Sequence, residues 1–459
     1  MTLSFTPGPF AKHPYGAPSG KGESAQAHYD LIVVGAGLAG MFAGALAARR
    51  GARTLVIARG LGGTHVGAGT ADVWGYSPHP PTPSPVRNPR KSTEACERER
   101  GSRLVENPEA ELAQLPSTHP LALAGADILR EALAQFQGLC ESSAYPLQGN
   151  LQHNHFLPTA LGAVRPACLA PESFIAGEVR QPGELTLARL PGFRDFYADL
   201  AVANLQTQGY AARAITLELP RTPARRDLFA TDIARWFDTP AYRAEVAQQW
   251  HDKLQGVARL GLPAILGLDA AAEVWRDLSD KLGVRIFEIP ILPPSVPGMR
   301  LFNVLRSAIE TTSGRVTIGP SVSGWVENGI AVGVIAETAG GARRYAAEHI
   351  LLATGGFRHG GLESPAKGQV RESVFNLPVV AGPDFFAPLY WEAQPYARSG
   401  VRVNEDLHPL DAGGEVLYPN VFVIGGLLAG ADRLGEGSRE GIDLATSWKA
   451  VNGLNGFHG

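Results

Sequence analysis

Cysteine is scarce in this sequence, and long apolar runs are missing. The 459 residues include three cysteines, Cys96, Cys140 and Cys168, which lie far apart and form no Cys-x-x-Cys pair. Iron–sulfur clusters and structural zinc sites need clustered cysteines, so we expect the chain to hold neither, and no other metal site is predicted. Unpaired thiols are typical of a reducing compartment, which favours a cytoplasmic protein.

Two further absences limit the partners of the chain. No stretch approaches the roughly 20 consecutive apolar residues of a membrane-spanning helix, and the N-terminus does not resemble a signal peptide. Contact with a membrane is therefore expected only through a partner protein. The formal net charge is −3, so no broad positive surface is expected and no nucleic-acid partner is predicted.

Glycine, by contrast, is abundant at 54 residues, and its most informative cluster follows an apolar stretch at 31–34. The pattern Gly-x-Gly-x-x-Gly falls on Gly35, Gly37 and Gly40, and a helix is predicted directly after it. In dinucleotide-binding folds the first glycine allows a tight turn, the second admits a phosphate, and the third lets the helix pack closely on the strand. The N–H groups of Leu38 and Ala39 are then expected to face the phosphate. This turn predicts a site for a dinucleotide or a flavin.

The end of the next strand, at 54–58, departs from the usual dinucleotide pattern. An Asp or Glu is expected there to accept hydrogen bonds from the adenosine ribose, but the residue is Arg59, which can only donate. Three interpretations stay open: FAD with its ribose held elsewhere, a ligand without the adenosine half such as FMN, or NADP with Arg59 on its 2′-phosphate. The later motifs favour a tightly held flavin over a diffusible nicotinamide.

Three glycine-rich segments later in the chain are typical of flavoproteins. The loop at 62–72 combines glycines with hydrogen-bonding side chains, Thr-Gly-Gly at 354–356 follows an apolar strand, and Val-Ile-Gly-Gly at 423–426 precedes Gly-Glu-Gly at 435–437 and a final helix. The N-terminus of that helix would place partial positive charge beside a reduced flavin. The residues expected to contact the cofactor in these segments are Gly63, Thr64, His65, Gly69, Thr70, Asp72, Thr354, Gly355, Gly425 and Gly437.

The candidate catalytic residues are two histidines and two arginines. His65 lies in the glycine-rich loop, His155 and Arg165 lie in a turn-rich polar segment at 153–172, and Arg300 follows a proline-rich stretch. A histidine could remove a hydroxyl proton as a base, and an arginine could bind a phosphate or carboxylate through two hydrogen bonds. Structural histidines and surface arginines would give the same pattern, so both interpretations stay open.

The order of these motifs predicts an α/β fold with two domains. Residues 28–140 and 296–459 are expected to form a Rossmann-like FAD/NAD(P)-binding domain from separate segments, and 141–295 an inserted α+β domain for the substrate. Residues 1–27 have the composition of a flexible arm, and the proline-rich, charged stretch 78–118 that of a surface excursion. Apolar periodicity predicts helices at 121–140, 193–207, 240–254, 300–311 and 440–452.

Five parts of the chain resemble one family, the B subunits of the anaerobic glycerol-3-phosphate dehydrogenase. They are the glycine fingerprint with the arginine-ended strand (31–60), the loop at 64–72, the segment 153–172, the stretches 292–301 and 353–361, and 401–410 with 423–426 and 435–437. Leu-Pro-Pro-Ser-Val at 292–296 and His-Asn-His at 153–155 are the more family-specific motifs. Two features depart from the family: Ser438-Arg439-Glu440 interrupts its glycine-rich turn, and 78–118 is longer and more polar.

The resemblance implies a flavin-dependent enzyme that oxidises sn-glycerol 3-phosphate to dihydroxyacetone phosphate. It implies FMN in this polypeptide, with FAD as the alternative, a second flavoprotein as the A subunit of the complex, and an iron–sulfur C subunit that passes electrons to quinone and finally to fumarate or nitrate. The complex would lie against the cell membrane through its partners. Two other hypotheses stay open: a stand-alone FAD-dependent dehydrogenase or reductase for another small polar substrate, and a flavin-free scaffold protein.

Overall fold

The structure is a computed structural model, and it describes residues 27–78, 102–221, 227–365, 369–382, 384–389 and 392–454. In chain order the helices are α1 Leu38–Arg49, α2 Pro108–Leu112, α3 Pro120–Ala124, α4 Ala126–Glu141, α5 Glu172–Ile175, α6 Ala198–Thr207, α7 Ala230–Phe237, α8 Pro240–Trp250, α9 Ala271–Leu282, α10 Val296–Glu310 and α11 Arg439–Gly453.

The strands are β1 Ala27–Val34, β2 Thr54–Ala58, β3 Tyr76–Pro78, β4 Ser102–Leu104, β5 Leu147–Gly149, β6 His155–Pro158, β7 Val164–Ala167, β8 Leu169–Pro171, β9 Leu185–Arg189, β10 Ala212–Thr216, β11 Arg259–Pro263, β12 Arg285–Ile289, β13 Gly314–Ile318, β14 Ser321–Glu327, β15 Ile330–Thr338, β16 Gly341–Leu352, β17 Leu362–Glu363, β18 Arg371–Glu372, β19 Val379–Val380, β20 Gly400–Val401 and β21 Val421–Val423.

The larger sheet joins strands from both ends of the chain. Its order is β13-β2-β1-β16-β15-β14, with β21 beside β16. The pairs on either side of β1, together with β13 and β21, are parallel, whereas β14, β15 and β16 form an antiparallel meander. The second half of β1, residues 31–34, and nearly all of β2 are apolar because both faces of the sheet are buried there. The predicted α/β domain built from separate segments is confirmed.

Small residues let α1 pack between the sheet and two other helices. Every residue from Leu38 to Ala48 is buried, and α1 contacts both α10 and α11. Alanine and glycine make up most of this helix, and their small side chains allow neighbouring elements to pack against it. The N-terminus of α1 is therefore held firmly at the end of β1, where the glycine fingerprint lies.

The segment between α4 and α10 contains a second sheet, with the order β10-β9-β11-β12. All three of its strand pairs are parallel, and the same segment also contains the antiparallel pairs β5–β8 and β6–β7. Parallel neighbours need a crossover, and α6, α7, α8 and α9 supply it between successive strands. An apolar cluster that runs from Phe156 to Val296 forms the core of this part. The predicted domain boundaries at 141 and 295 stay a prediction.

The predicted arm and the predicted surface excursion are described only in part. The arm 1–27 lies outside the described residues except for Ala27, which begins β1, and so do residues 79–101 of the excursion. In the rest of that excursion β4 pairs with β3, and Val105 is buried.

Within the ranges that the structure describes, no helix combines the length and the hydropathy needed to cross a bilayer.

Candidate functional site

The turn between β1 and α1 has two glycines that packing requires and one that faces open space. Gly35 has a φ of +121°, and a β-carbon there would lie 2.3 Å from the carbonyl oxygen of Ala353 after β16. A β-carbon at Gly40 would lie 2.0 Å from the oxygen of Gly35. At Gly37 no atom of the described residues, apart from its chain neighbours, lies within 4 Å of the corresponding position. The middle glycine thus leaves room for a ligand at the start of α1.

The start of α1 presents main-chain N–H groups to this space. Gly37 is the N-cap residue, no side chain caps the helix, and the first turn has no acidic residue. The N–H groups of Leu38 and Ala39 and the helix dipole therefore suit an anion such as a phosphate. Gly62 borders the same space, since its β-carbon position is 2.5 Å from the nitrogen of Gly37.

A second group of side chains adjoins this turn where β2 ends. Arg59 follows β2, and its Nη2 atom is 3.2 Å from the β-carbon position of Gly360. His359 lies between glycines of two segments: its Nε2 is 3.1 Å from the β-carbon position of Gly63, and its Cβ is 3.1 Å from that of Gly355. The predicted contact residues Arg59, Gly63 and Gly355 therefore come together around His359.

The corner around His359 is rich in arginine. Burial lowers the pKa of His359, and the positive charges of Arg433, Arg439 and Arg358 lower it further. His359 is therefore neutral at pH 7, and the arginines supply the positive charge to which an anionic ligand would be drawn. The sequence analysis missed His359 and Arg433, although the pair Arg358-His359, one residue after the Gly355-Gly356 turn, was a signal that pointed to the first.

The segment 62–72, called the glycine loop below, carries a neutral histidine. His65 lies in a 3-10 turn at Thr64–Val66, and its ring meets that of Phe302 edge to face, with centroids 5.5 Å apart. Burial lowers the pKa of His65, so the imidazole is uncharged at pH 7 and able to accept a proton. This is the protonation state that a general base needs.

Two hydroxyl groups hold the glycine loop in place. The Ser295 hydroxyl donates to the oxygen of Gly67 at 2.6 Å and also caps α10, while the Tyr145 hydroxyl donates to the oxygen of Gly69 at 3.0 Å. A β-carbon at Gly69 would lie 2.4 Å from that same hydroxyl oxygen. Gly69 is therefore set by packing against Tyr145, and it does not face open space.

Strand β7 brings Arg165 to the end of the glycine loop. Its Nη2 atom donates to Thr70 Oγ1 at 2.8 Å and to Asp72 Oδ1 at 2.6 Å. The side chains of Arg165 and Asp72 are 19% and 17% exposed, so part of the guanidinium remains accessible. The three predicted residues Thr70, Asp72 and Arg165 thus form one hydrogen-bonded group.

His155 lies on the neighbouring strand of the same hairpin. It stands opposite Ala167 in β7, and Leu157 stands opposite Arg165. Opposite residues of an antiparallel pair share a face, so His155 and Arg165 project from the same side of the hairpin as diagonal neighbours. The Nδ1 atom of His155 is 3.2 Å from Oε2 of Glu178, a partner that the sequence analysis missed.

The position of Arg300 does not agree with the prediction of a substrate clamp. Its side chain is 1% exposed and pairs with Glu288, with nitrogen–oxygen distances of 2.9 and 3.0 Å. It also donates to the oxygens of Gly267 at 2.7 Å and Leu266 at 2.9 Å. All three guanidinium nitrogens therefore bind protein acceptors, and Arg300 joins α10 to the inserted sheet.

Charged side chains of both signs meet at the start of α11. Three carboxyl groups and three guanidinium groups share this place: Asp72, Glu440, Asp443, Arg165, Arg433 and Arg439. Burial raises the pKa of Asp443 to about 6, although its ion pair with Arg433 opposes that shift. The stretch Ser438-Arg439-Glu440 thus replaces a glycine-rich turn with paired charges.

The two predicted glycines of the C-terminal segment are packed against neighbouring side chains. A β-carbon at Gly425 would lie 2.7 Å from Oδ1 of Asp443 and 2.8 Å from Cβ of Ala39. A β-carbon at Gly437 would lie 3.0 Å from the ring of Tyr76. Both glycines therefore allow the C-terminal segment to approach the N-terminal part of the domain closely.

A buried histidine anchors the turn that precedes α11. The Nε2 atom of His119 is 3.1 Å from Oε2 of Glu436, and its Nδ1 accepts from the amide of Leu121 at 3.1 Å, which assigns the proton to Nε2. Burial opposes ionisation of Glu436, but His119 and Arg398 hold its pKa below the ordinary value. The sequence analysis missed both His119 and Glu436, and the only signal was the charged residue inside Gly-Glu-Gly.

Three buried polar atoms around these segments have no hydrogen-bond partner among the described residues: Thr64 Oγ1, Thr354 Oγ1 and Arg433 Nε. Buried polar groups are nearly always paired, so such atoms call for a ligand. A flavin carries N–H and C=O groups around its ring and a phosphate at the end of its chain. Unpartnered hydroxyls, open space at Gly37 and nearby arginines match these groups, and the residues present therefore fit a flavin.

Comparison with known sequences gives matches over nearly the whole chain. The family model described as FAD binding domain matches residues 30–438. The B subunit of the anaerobic glycerol-3-phosphate dehydrogenase of Pectobacterium atrosepticum is 32% identical over 436 residues, which cover 91% of this chain and 96% of that protein. The protein named as its probable counterpart in Halobacterium salinarum is 29% identical over 438 residues, covering 92% and 96%.

Comparison with solved structures gives more distant matches. The 3-ketosteroid delta1-dehydrogenase of Sterolibacterium denitrificans has a TM-score of 0.42 and 11% identity, covering 93% of this chain and 99% of that one. A flavocytochrome c3 fumarate reductase in its open conformation has a TM-score of 0.41 and 10% identity, covering 98% and 84%.

Proposed function

The chain belongs to the FAD binding domain family and, within it, to the B subunits of the anaerobic glycerol-3-phosphate dehydrogenase, and from this premise we propose that it oxidises sn-glycerol 3-phosphate to dihydroxyacetone phosphate. The observation that carries the proposal is the 32% identity over 96% of a relative of that name. The chain is a flavoprotein of the oxidoreductase class. A bound flavin would accept the hydride that leaves C2 of the substrate.

For the cofactor we propose FMN. Its phosphate would be held by the N–H groups of Leu38 and Ala39, in the space that Gly37 leaves open. The adenosine half of FAD is usually held by an acidic residue after β2, where this chain has Arg59. A terminal phosphate carries more negative charge than either phosphate of a dinucleotide. The positive charges of Arg59 and Arg358 would balance that charge. FAD remains the alternative that the family description favours.

For the hydroxyl proton we propose His65 as the base, in preference to His155. His65 is neutral because burial lowers its pKa, and it lies in the glycine loop next to the unpartnered hydroxyl of Thr64. His155 is already engaged by Glu178. Arg165, held on one edge by Asp72 and exposed on another, is the group we propose to bind the substrate phosphate.

Electrons have to leave this chain for a partner. Cys140 and Cys168 are both buried and free, and no set of cysteines in the described part of the chain could hold an iron–sulfur cluster. The relatives are named as one subunit of a dehydrogenase, so further subunits exist for them. We propose as partners a second flavoprotein, the A subunit of such a complex, and an iron–sulfur protein, its C subunit, with membrane contact through them.

The first experiment identifies the flavin. The purified chain should be yellow, and acid should release FMN that chromatography separates from FAD. Release of FAD would contradict the FMN proposal and favour a stand-alone FAD-dependent dehydrogenase, whereas a colourless protein would favour a scaffold role.

The second experiment tests the reaction and its base. In a complex reconstituted with its partners, anaerobic addition of sn-glycerol 3-phosphate should bleach the flavin bound to this chain. His65→Gln should slow this reduction about 10²- to 10⁴-fold, the range for loss of a general base. The control is His251→Gln, because His251 is an exposed histidine at the end of α8. Equal rates for the two variants would show that His65 is not the base.

A further inference from the structure

Two histidines and a glutamate converge on one side of the β6–β7 hairpin. Nδ1 of His155 is 3.2 Å from Oε2 of Glu178, and Nε2 of His153 is 3.8 Å from Oε1 of the same carboxylate. One potential ligand atom from each of the three residues lies within 4.8 Å of the others. Within the described part of the chain this is the only group of three or more such residues close enough to hold a metal ion.

The local backbone explains why the three side chains meet. His153 and His155 are two positions apart in an extended segment, so they point to the same side, and their rings pack edge to face with centroids 5.5 Å apart. Glu178 follows the turn after α5, and the amide of Val179 donates to the oxygen of Phe156 at 2.9 Å. This bond holds Glu178 alongside β6 whether or not its carboxylate has a ligand.

We propose that His153, His155 and Glu178 bind one divalent transition-metal ion, for which zinc has the best-matched chemistry. Two imidazoles and one carboxylate form a common three-residue set for zinc, which leaves a fourth position for water or another ligand. Tetrahedral bonds of about 2.0–2.1 Å place the ligand atoms about 3.4 Å from each other. The nitrogen–oxygen distances of 3.2 and 3.8 Å, which run to Oε2 and Oε1 of the same carboxylate, lie on either side of that value.

The charges around the group leave the carboxylate available. The buried Arg259 lies beside the group, but it donates to the main-chain oxygens of Ala176, Glu178 and Gln181. His153 is 53% exposed, which gives an ion a route from solvent. An ion held here would also fix the hairpin that carries Arg165.

The test is a zinc titration of the untagged full chain after treatment with a chelator. Competition with a chromophoric chelator should show one tight site per chain, and zinc should raise the melting temperature. Cobalt(II) in place of zinc should give the visible absorption of a tetrahedral site. His153→Ala should weaken binding on the order of 100-fold or more, since even residues that only support metal ligands contribute 10- to 100-fold.

The controls separate a metal site from an ordinary histidine–glutamate contact. His153 is half exposed, so His153→Ala should fold normally, and circular dichroism without zinc checks this. His251→Ala removes an exposed histidine that is distant in sequence from the three proposed ligands, and it should leave zinc affinity unchanged. No stoichiometric binding by the folded wild-type chain would overturn the proposal, and so would binding that His153→Ala and Glu178→Gln leave intact. Neither outcome depends on the dehydrogenase activity.

Discussion

Two arginine–carboxylate pairs in this chain lie in opposite settings. Arg300 and Glu288, the closed pair, have side chains that are 1% and 0% exposed, and further protein groups satisfy both partners. Arg165 and Asp72, the open pair, are 19% and 17% exposed and lie at the end of the glycine loop. The same two chemical groups thus serve a structural joint in one place and a candidate ligand site in the other.

The difference between the pairs lies in what remains for a ligand. In the closed pair both charges are desolvated on folding, and every nitrogen of Arg300 already donates to protein. In the open pair a single nitrogen of Arg165 donates to both Thr70 and Asp72. The open pair can therefore orient an arginine towards an anion, whereas the closed pair can only hold elements together.

Breaking the closed pair should have the largest effect. Arg300→Met leaves the Glu288 carboxylate buried without its partner, and we expect the free energy of unfolding to fall by about 3–5 kcal/mol, as measured by urea denaturation. Replacing both residues with Met should recover much of the loss, because no buried charge then remains. A variant of normal stability that no longer reduces its flavin would instead return Arg300 to the role of a substrate clamp.

The charged group beside the open pair should respond to pH. Asp443 has a pKa of about 6 in the folded chain against an ordinary 3.8, so folding favours its protonated form. The stability this adds is complete below pH 3.8 and is lost as the pH rises through about 6. A shift of about two pKa units corresponds to about 3 kcal/mol.

The matched variant for this prediction is Asp443→Asn, which cannot titrate. Between about pH 4 and pH 7 the wild-type chain should lose up to about 3 kcal/mol of unfolding free energy relative to the variant, as measured by urea denaturation at each pH. Parallel pH profiles for the two proteins would mean that folding does not raise the pKa of Asp443.

Arg165→Lys tests whether the open pair binds the substrate. Lysine keeps the charge but loses the planar fork, so we expect kcat/KM for sn-glycerol 3-phosphate to fall about 10- to 100-fold. The unfolding free energy should change by less than about 1 kcal/mol, because the pair is partly exposed. Arg180→Lys is the control, since Arg180 pairs with the exposed Glu106. If both variants keep full activity, Arg165 does not bind the substrate.

Local features of the site were predictable from sequence, because the residues that decide them are neighbours. The spacing of Gly35, Gly37 and Gly40 is set within one turn, and the fold around it is confirmed. The predicted helix at 121–140 was correct in type but is divided, since Gly125 has a φ of +93° between α3 and α4. The helix is interrupted by the conformation of Gly125 alone, which the spacing of the apolar residues does not reveal.

Features that depend on contacts between distant segments were not predictable. The proline-rich stretch before Arg300 would look the same whether the side chain faced a substrate or Glu288. The partner of Arg300 depends on the position of α10 relative to β12, which lies outside this local pattern. His359 meets Gly63 from a distant part of the chain, and no local pattern marks that contact. His119 and Glu436 meet in the same way. Sequence identified the segments of the site but not the partners of its charged side chains.

Gly37→Ala should have the smallest effect on the folded chain. It therefore tests the space for the ligand without disturbing the packing of the protein. Gly37 has a φ of −74°, which alanine adopts freely, and within the described part of the chain only its own neighbours come within 4 Å of its β-carbon position. We expect the unfolding free energy of the apoprotein to change by less than about 1 kcal/mol. Flavin affinity, measured by fluorescence quenching, should fall about tenfold, because the new methyl group occupies the space beside the N–H groups of α1.

Gly138→Ala, within α4, is the control and should leave flavin binding unchanged, since its β-carbon position also faces open space. Unchanged affinity in Gly37→Ala would mean that the phosphate binds elsewhere than at the start of α1.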